Sequence, residues 1–177
     1  MTDETEARTM AEDPQLIDEY RRVLGLFPTG VVVVSGLSDG APVGLTVQSF
    51  MALSLRPPMI LLSVDRTSTT WPRIAATGKL AVNVMAADQA DVALTFAKSG
   101  ADKFAQIPWR PAALTGVPLI EGAQAWIEGE VACTYDGGDH VIITVDVLSL
   151  RAAPDAQPLV FFRSAFRQLD QPDPVVG

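Results

Sequence analysis

The chain has 177 residues, of which 48% are hydrophobic and 19% are charged, and its net charge is −8. A chain of this length is expected to form one domain that buries roughly 70% of the surface its unfolded form would expose. Most of the acidity lies in residues 1–13 and 168–177, which leaves the part between them nearly neutral. Without a basic patch, this body is not expected to bind nucleic acid or an anionic membrane.

The sequence also bears on the compartment. No apolar run approaches the ~18 residues of a membrane-spanning helix. Residues 1–13 carry five acidic side chains and one arginine, the opposite of the basic start of a signal peptide. The only cysteine, Cys133, cannot form an internal disulfide, which suits a reducing compartment. A cytoplasmic location is therefore expected.

The first ordered element is predicted to be a helix that begins at Asp13-Pro14, because Asp is a favoured N-cap and Pro is tolerated at the first helical position. Its apolar residues recur at helical spacing, which predicts that one face packs on the body. These residues are Leu16, Ile17, Tyr20, Val23, Leu24 and Phe27.

Strands follow this helix. The β-branched run 31–34 is typical of a strand buried on both faces, and the segment 38–42 predicts a hairpin turn. Residues 44–65 are predicted to form two strands joined at Pro57-Pro58. Small hydroxyl residues interrupt both strands, so this segment offers hydrogen bonds within a mostly apolar wall.

A run of hydroxyl residues, 67–70, precedes Trp71-Pro72 and predicts a helix start before a short helical piece that ends near Gly78. The free N–H groups of a helix start attract phosphate, although one of these hydroxyls could simply cap the helix. Residues 79–85 are predicted to form a strand. A helix of small apolar residues with Asp88 and Asp91 at its entry is predicted to end near residues 99–100.

Residues 102–119 are interpreted as a loop, and 124–135 as an alternating strand. That alternation puts Ile127, Val131 and Cys133 on one face and Glu128 and Glu130 on the other, which makes Cys133 a small core residue. The turn 136–139 leads into a long strand, 140–150, and residues 158–162 form a last short strand before the chain frays from position 166. Six or seven strands with few helices predict a mainly β fold, a closed antiparallel barrel with helical additions.

His140 is the only histidine, so neither a His/Cys zinc cluster nor a site with two histidines can be assembled, and no metal is expected. It begins a strand after two glycines, a rim position from which side chains reach ligands, although a plain surface histidine remains the alternative. Nucleophile-elbow, P-loop and Rossmann motifs are absent from the sequence. Hydroxyl-lined strands suit a large planar ligand whose phosphate could meet one of several cations. These are Arg66, Arg73, Lys98 and Lys103.

Five motifs, in this order, resemble the flavin reductase family, the small reductase components of two-component flavin monooxygenases. They lie at 44–58, 67–71, 78–84, 102–104 and 138–140, within a similarity that runs from about Tyr20 to Phe166. The resemblance implies a split antiparallel β-barrel with a few flanking helices that binds FMN or FAD at the interface of a homodimer. The domain would span residues 14–167, between an acidic, disordered tail (1–13) and a flexible one (168–177).

The resemblance also implies a flavin site. The flavin ring and its polar edge would be met by Thr46, Val47, Gln48, Ser49, Ser63, Val64 and Asp65. The phosphate turn would contain Ser68 and Thr70, and the segments over the ribityl phosphate end would supply Phe96, Ala97, Lys98, Lys103 and Phe104. The nicotinamide would be received by His140, Phe162 and Arg163. Gln48 stands where the family more often has Asn or Ser, and Phe162 and Phe166 stand where it often has Tyr.

The activity implied is hydride transfer from C4 of NADH or NADPH to N5 of the flavin, so the flavin itself carries the chemistry. His140 would be the catalytic residue and would orient the nicotinamide without transferring a proton. Reduced flavin would then diffuse to a separate monooxygenase. Two alternatives share the same site: a flavin carrier or sensor that does not turn over, and an enzyme that uses its bound flavin directly on a small substrate.

Overall fold

The computed structural model describes residues 13–100, 102–153 and 156–169. Within these ranges the helices are α1 (Pro14–Leu24), α2 (Trp71–Ala75) and α3 (Ala90–Ala97). The strands are β1 (Thr29–Gly30), β2 (Val32–Ser38), β3 (Ala41–Val47), β4 (Met51–Leu55), β5 (Pro58–Asp65), β6 (Lys79–Val84), β7 (Trp109–Pro111), β8 (Pro118–Ile120), β9 (Ala125–Gly137), β10 (His140–Ala152), β11 (Val160–Phe162) and β12 (Ala165–Arg167). Residues 1–12 and 170–177, most of the two predicted tails, lie outside the described residues.

The main sheet has seven strands in the order β3-β2-β6-β9-β10-β5-β4. Two small sheets, β1-β11-β12 and β7-β8, accompany it, and every pairing described is antiparallel. The predicted mainly β, antiparallel class with few helices is therefore confirmed. The edge strands β3 and β4 are not paired with one another in the described sheet, so β3 keeps one edge free of strand partners. Among the described residues, no helix is long and apolar enough to cross a membrane.

The valine run at the start of β2 is buried on both faces, as predicted. Val32 and Val34 belong to the hydrophobic cluster enclosed by the main sheet, together with Leu62, Ile74 and Ile143. Val31 and Val33 point the other way, into a second cluster that includes Phe96 of α3 and, beyond the helix, Phe104. Consecutive β-branched residues suit this position because the two faces of a strand alternate.

Helix α1 begins as predicted, since Asp13 Oδ1 accepts a hydrogen bond of 2.9 Å from the amide of Gln15. The prediction that its apolar face packs on the rest of the domain is wrong for the described residues. None of the helix residues is buried, and Tyr20 and, just beyond the helix, Phe27 are 63% and 75% exposed. The 3.6-residue period shows that a face is apolar but does not show what covers it.

Cys133 is exposed, so its prediction as a core residue is wrong. Residues 132–137 of β9 are exposed on both faces of the strand, so the alternation of side chains places none of them in the core. A bulge also interrupts the strand here, because Thr144 pairs with Cys133 but Val145 pairs with Val131, which leaves Ala132 as an extra residue. Val131, before the bulge, still packs on the core as predicted.

Three boundaries also differ from the predictions. The segment 44–55 is two strands, because residues 48–50 leave β3 and lead into β4 at the opposite edge of the sheet. The predicted loop 102–119 contains β7 and part of β8, which pair through Trp109 and Ile120. The predicted fraying from residue 166 is wrong for β12, because Phe166 pairs with Phe161 and their rings meet edge to face at 5.6 Å.

Candidate functional site

A cavity of about 410 Å³ lies beside the end of β3 and the end of β5, and we call it the β3–β5 cavity. Ten of its eleven lining residues were predicted as site residues from the sequence. The lining residues are Leu45, Thr46, Val47, Gln48, Ser49, Ser63, Val64, Asp65, Ser68, Ala97 and His140. Residues from four separate segments of the chain therefore meet in one space.

Strand pairing explains how these segments meet. β10 runs antiparallel to β5 with His140 opposite Asp65 and Ile142 opposite Ser63. On the other side, the Ser49 hydroxyl bridges the end of β3 to β5, because it donates to the Ser63 carbonyl at 2.7 Å and accepts from the Ser63 amide at 2.9 Å. The first residue of β10 is thus held at the rim of the cavity.

The small hydroxyls of the cavity are mostly engaged within the protein. Thr46 donates to the Ala93 carbonyl of α3 at 2.6 Å, and Ser49 makes the two bonds to Ser63. The Ser68 hydroxyl accepts from the Trp71 amide at 3.1 Å, which caps α2 and leaves its own proton available to a ligand oxygen. The helix-cap alternative raised for the 67–70 run therefore holds for Ser68, and Ser68 also lines the cavity.

His140 is oriented by its neighbour in the chain. Its Nδ1 lies 2.7 Å from Oδ1 of Asp139, a contact that favours the tautomer in which Nδ1 carries the proton. Nε2 is then the atom that can accept a hydrogen bond from a ligand. Opposite His140, the pKa of Asp65 is lowered by hydrogen bonds from the hydroxyl and the amide of Thr67.

The turn that carries Asp139 and His140 is fastened to the end of β5 by Arg66. The guanidinium donates from Nε to the Gly138 carbonyl and from Nη2 to Asp136 Oδ1, both at 2.8 Å. The Arg66 amide donates to the Asp139 carbonyl at 3.0 Å. The pKa of Asp136 is lowered by the amide of Gly138 and by Arg66. Arg66, a candidate phosphate ligand in the sequence, is thus occupied by the turn.

A second cavity, of about 390 Å³, adjoins the same strand, and we call it the Arg73 cavity. Four of the residues named from the sequence lie in it: Thr70, Arg73, Lys103 and Phe104. Lys103 Nζ donates to the carbonyls of Gly44 at 3.2 Å and Phe96 at 3.0 Å, and partial burial lowers the pKa of its ammonium group. The other lining residues are Ala41, Pro42, Val43, Gly44, Thr69, Gly100 and Asp102.

The remaining predicted residues line neither cavity. Phe96 is 1% exposed and packs edge to face on Phe104 at 4.8 Å, so its ring belongs to the core. Lys98 is exposed at the end of α3. Phe162 and Arg163 lie at the β11–β12 turn, where the guanidinium sits 5.2 Å from the Phe162 ring centre. Neither of these two residues lines the β3–β5 cavity, which His140 does.

Some site features had no separate signal in the sequence. Leu45 forms part of the apolar wall, and Thr69 and Asp102 line the second cavity beside predicted neighbours. The orienting contact of Asp139 could have been suspected from its position next to His140. Nothing local to Arg66 indicates its ion pair, because the partner is 70 residues away.

Comparisons with known proteins agree on one family. The profile of the flavin reductase like domain matches residues 24–170. The reductase subunit HsaB of a flavin-dependent monooxygenase from Mycobacterium tuberculosis is 42% identical over 153 residues, covering 85% of this chain and 81% of that protein. An NADH-dependent FAD reductase of Streptomyces globisporus is 36% identical over 160 residues, covering 88% and 87%.

Comparison with solved structures leads to the same family. A homologue of nitrilotriacetate monooxygenase component B from Mycobacterium thermoresistibile superposes with a TM-score of 0.85 at 38% identity, covering 91% of this chain and 93% of that one. The NADH:FAD oxidoreductase SgcE6 of Streptomyces globisporus superposes with a TM-score of 0.84 at 35% identity, covering 90% and 96%. The chain therefore belongs to the flavin reductase like family and is an oxidoreductase.

Proposed function

We propose that this protein reduces FMN or FAD with a nicotinamide nucleotide and releases the reduced flavin to a separate monooxygenase. The observation that carries the proposal is the β3–β5 cavity, which brings together ten residues that the family resemblance gives as site residues. Support comes from the relatives, one of which is named as a monooxygenase reductase subunit and another as an NADH-dependent FAD reductase.

The residues of the cavity fit a flavin. Leu45 and Val64 are buried apolar residues that offer a wall for a planar ring. β3 is an edge strand, so the backbone N–H and C=O groups on its free side have no strand partner and can pair with the polar edge of the ring. The exposed carboxamide of Gln48 adds a donor and an acceptor at the same end.

A flavin held there would accept a hydride at N5 from C4 of the nicotinamide, while the nucleotide leaves in its oxidised form. The protein's part is to hold the two rings at reacting distance and to keep water out, which requires no general base. We assign His140 to the nicotinamide: with Nδ1 held by Asp139, Nε2 can accept a hydrogen bond from the carboxamide. NADH is the proposed donor, in line with the names of the relatives.

We also propose that residues 14–167 form the domain and that it works as a homodimer. The exposed apolar face of α1, with Ile17 and Tyr20, is the surface that a second copy would cover. A second copy could also bring its Phe162 and Arg163 to the β3–β5 cavity, which these residues do not line within one chain. Sedimentation velocity should show a dimer for the wild type and a monomer for the double variant Ile17→Glu/Tyr20→Glu. A monomeric wild type would contradict this part.

The activity is tested by following NADH absorbance with FMN, FAD or no flavin added to the purified protein. We expect oxidation of NADH that depends on added flavin and saturates with it. Under anaerobic conditions the oxidised flavin spectrum should disappear in proportion to the NADH added. A protein that retains flavin but does not oxidise NADH would be a carrier or sensor, and the proposed function would be wrong.

A further inference from the structure

We propose that Ser35 and Asn83 are positioning residues for flavin binding: they fix strand β8 from inside the protein, and through it they hold Lys103 against β3. The inference rests on the proposed function, with Lys103 at the flavin phosphate as the family resemblance implies. It goes further because neither Ser35 nor Asn83 lines the β3–β5 cavity or the Arg73 cavity. Residues 102–120, which contain β7 and β8, are called the 102–120 segment.

The 102–120 segment is fastened to the main sheet by side chains. Among the described strands, β7 and β8 pair only with one another. The Ser35 hydroxyl of β2 donates to the Pro118 carbonyl at 2.5 Å, and Asn83 Oδ1 of β6 accepts from the Ile120 amide at 2.8 Å. Trp126 Nε1 of β9 donates to the Ile120 carbonyl at 2.8 Å. Loss of one of these bonds should therefore loosen the segment without breaking a strand ladder.

Ser35 and Asn83 form one buried hydrogen-bond network, and both are 0% exposed. Asn83 Nδ2 donates to the Val33 carbonyl at 3.0 Å and to Ser35 Oγ at 2.9 Å, so both amide protons and the oxygen of Asn83 are engaged. β8 supplies two of the partners, the Pro118 carbonyl and the Ile120 amide. Because a buried polar network is favourable only when its groups are paired, this one favours the state with β8 in place.

Packed side chains connect this network to Lys103. Ile120 is paired with Trp109, whose ring meets Phe104 edge to face with the centres 6.0 Å apart. The Phe104 ring in turn meets Phe96 at 4.8 Å. Lys103, the neighbour of Phe104 in the chain, donates from Nζ to the Phe96 carbonyl at 3.0 Å. The connection from the network to the ammonium group is therefore continuous.

A loosened segment should weaken ligand binding in inverse proportion to the fraction of molecules that keep Lys103 in place. Ser35→Ala leaves the Pro118 carbonyl without its donor, so it should lower that fraction. The alternative is a structural role, in which Ser35 only adds to the stability of the whole domain. The two roles differ in one respect: only positioning of Lys103 depends on whether the ligand carries a phosphate.

Calorimetric titration with FMN and with riboflavin, without a nicotinamide nucleotide, tests the proposal. Ser35→Ala should raise the Kd of FMN about three- to tenfold and that of riboflavin by no more than about twofold. In Lys103→Met, adding Ser35→Ala should not weaken FMN binding further, because the residue it acts through is already removed. Leu80→Val is the matched control: it shortens a fully buried side chain on the strand of Asn83, within the cluster enclosed by the main sheet, and should change neither Kd.

Hydrogen exchange of the wild type tests the same coupling without a variant, and it decides the matter if Ser35→Ala does not fold. Binding and anchoring are linked, so a ligand that contacts Lys103 must stabilise the anchored segment. FMN should therefore slow exchange of the Ile120 amide and of the rest of the 102–120 segment more than riboflavin does, with both ligands at saturation. Equal protection by the two ligands would contradict the proposal.

Three results of the titrations would assign a structural role instead. These are an equal loss of FMN and riboflavin affinity in Ser35→Ala, the same loss in Leu80→Val, and a further loss of FMN affinity when Ser35→Ala is added to Lys103→Met. A wild type that binds neither FMN nor riboflavin would overturn the proposed function itself. That outcome differs from a wrong role for Ser35 and Asn83, which would leave both affinities of the wild type measurable.

Discussion

Arg66 and Asp136 lie 70 positions apart in the chain and form an ion pair of 2.8 Å between Nη2 and Oδ1. The pair joins the end of β5 to the turn that precedes β10. Because Arg66 also holds the carbonyl of Gly138, the turn is fixed at two points beside His140. The proposed nicotinamide residue is therefore positioned by a residue that does not line the β3–β5 cavity.

Arg66→Ala should raise KM for NADH about two- to fivefold and leave the KM for flavin unchanged, because an exposed ion pair contributes at most about 1 kcal/mol. Arg66→Lys should have a smaller effect, since lysine keeps the positive charge but cannot donate from two fixed nitrogens to Gly138 and Asp136. Arg22→Ala, which breaks the exposed 2.6 Å pair with Glu19 on α1, is the matched control and should have no effect. Equal rises in both KM values would contradict the positioning role.

His140→Ala should raise the apparent KM for NADH about tenfold, the value of one lost hydrogen bond to the ligand, and the KM for flavin much less. Asp139→Asn should act more weakly, because an amide oxygen can still accept from Nδ1. Steady-state kinetics with each substrate varied in turn measure both effects. Equal changes in the two constants would show that His140 does not serve the nicotinamide.

Much of the fold and of the cavity wall could be predicted because the signals are local. The valine run 31–34 indicates burial on both faces, and it is so buried. Thr46 to Ser49, Ser63 to Asp65 and His140 were predicted as site residues because their motifs resemble those of the flavin reductase family. Strand pairing then brings them together, because Asp65 and His140 face each other across β5 and β10.

What could not be predicted has a common physical cause: the surroundings of a side chain are set by residues that are distant in the chain. Cys133 is exposed because no other element of the described chain covers either face of β9 from residue 132 to residue 137. The placement of Phe96 also depends on a distant residue, because its ring fills the space beside Gly44, where an added Cβ would lie 2.9 Å from Cε1. No periodicity within a segment encodes such a partner.

Glu128 illustrates the same point and yields a stability prediction. It is 6% exposed, and its Oε2 accepts from the amides of Leu114 and Thr115 and from the Thr115 hydroxyl. Glu128→Ala should lower the free energy of unfolding by about 1–3 kcal/mol, because three donors of Leu114 and Thr115 lose their buried carboxylate acceptor. Glu128→Gln should cost much less, since its carbonyl oxygen can occupy the same place.

Urea unfolding of both variants measures this difference. Glu130→Ala is the matched control, because Glu130 is exposed on the same strand and should change stability by no more than about 0.5 kcal/mol. Glu128 lines neither cavity, so KM values for NADH and flavin should stay at the wild-type level in Glu128→Gln. A loss in Glu128→Gln as large as in Glu128→Ala would mean that the charge, and not the accepting oxygen, stabilises the loop.

The burial of Lys103 predicts how the stability of the protein depends on pH. Burial lowers the pKa of its ammonium group in the folded protein from the ordinary 10.5, so the unfolded chain binds more protons between the two values. The free energy of unfolding of the wild type therefore rises with pH across that window, compared with that of a Lys103→Met variant. The rise is complete above 10.5. The neutral amine keeps two donors, enough for the carbonyls of Gly44 and Phe96.

The same titration should appear in ligand binding. As the pH rises toward 10.5, Lys103 loses its charge earlier than an ordinary lysine, and the attraction to a flavin phosphate weakens. FMN affinity should therefore fall in this range more steeply than the affinity for riboflavin, which has the same ring but no phosphate. The difference between the two ligands cancels any titration of the ring itself. In Lys103→Met the FMN and riboflavin curves should run parallel, and parallel curves in the wild type would show that Lys103 does not meet the phosphate.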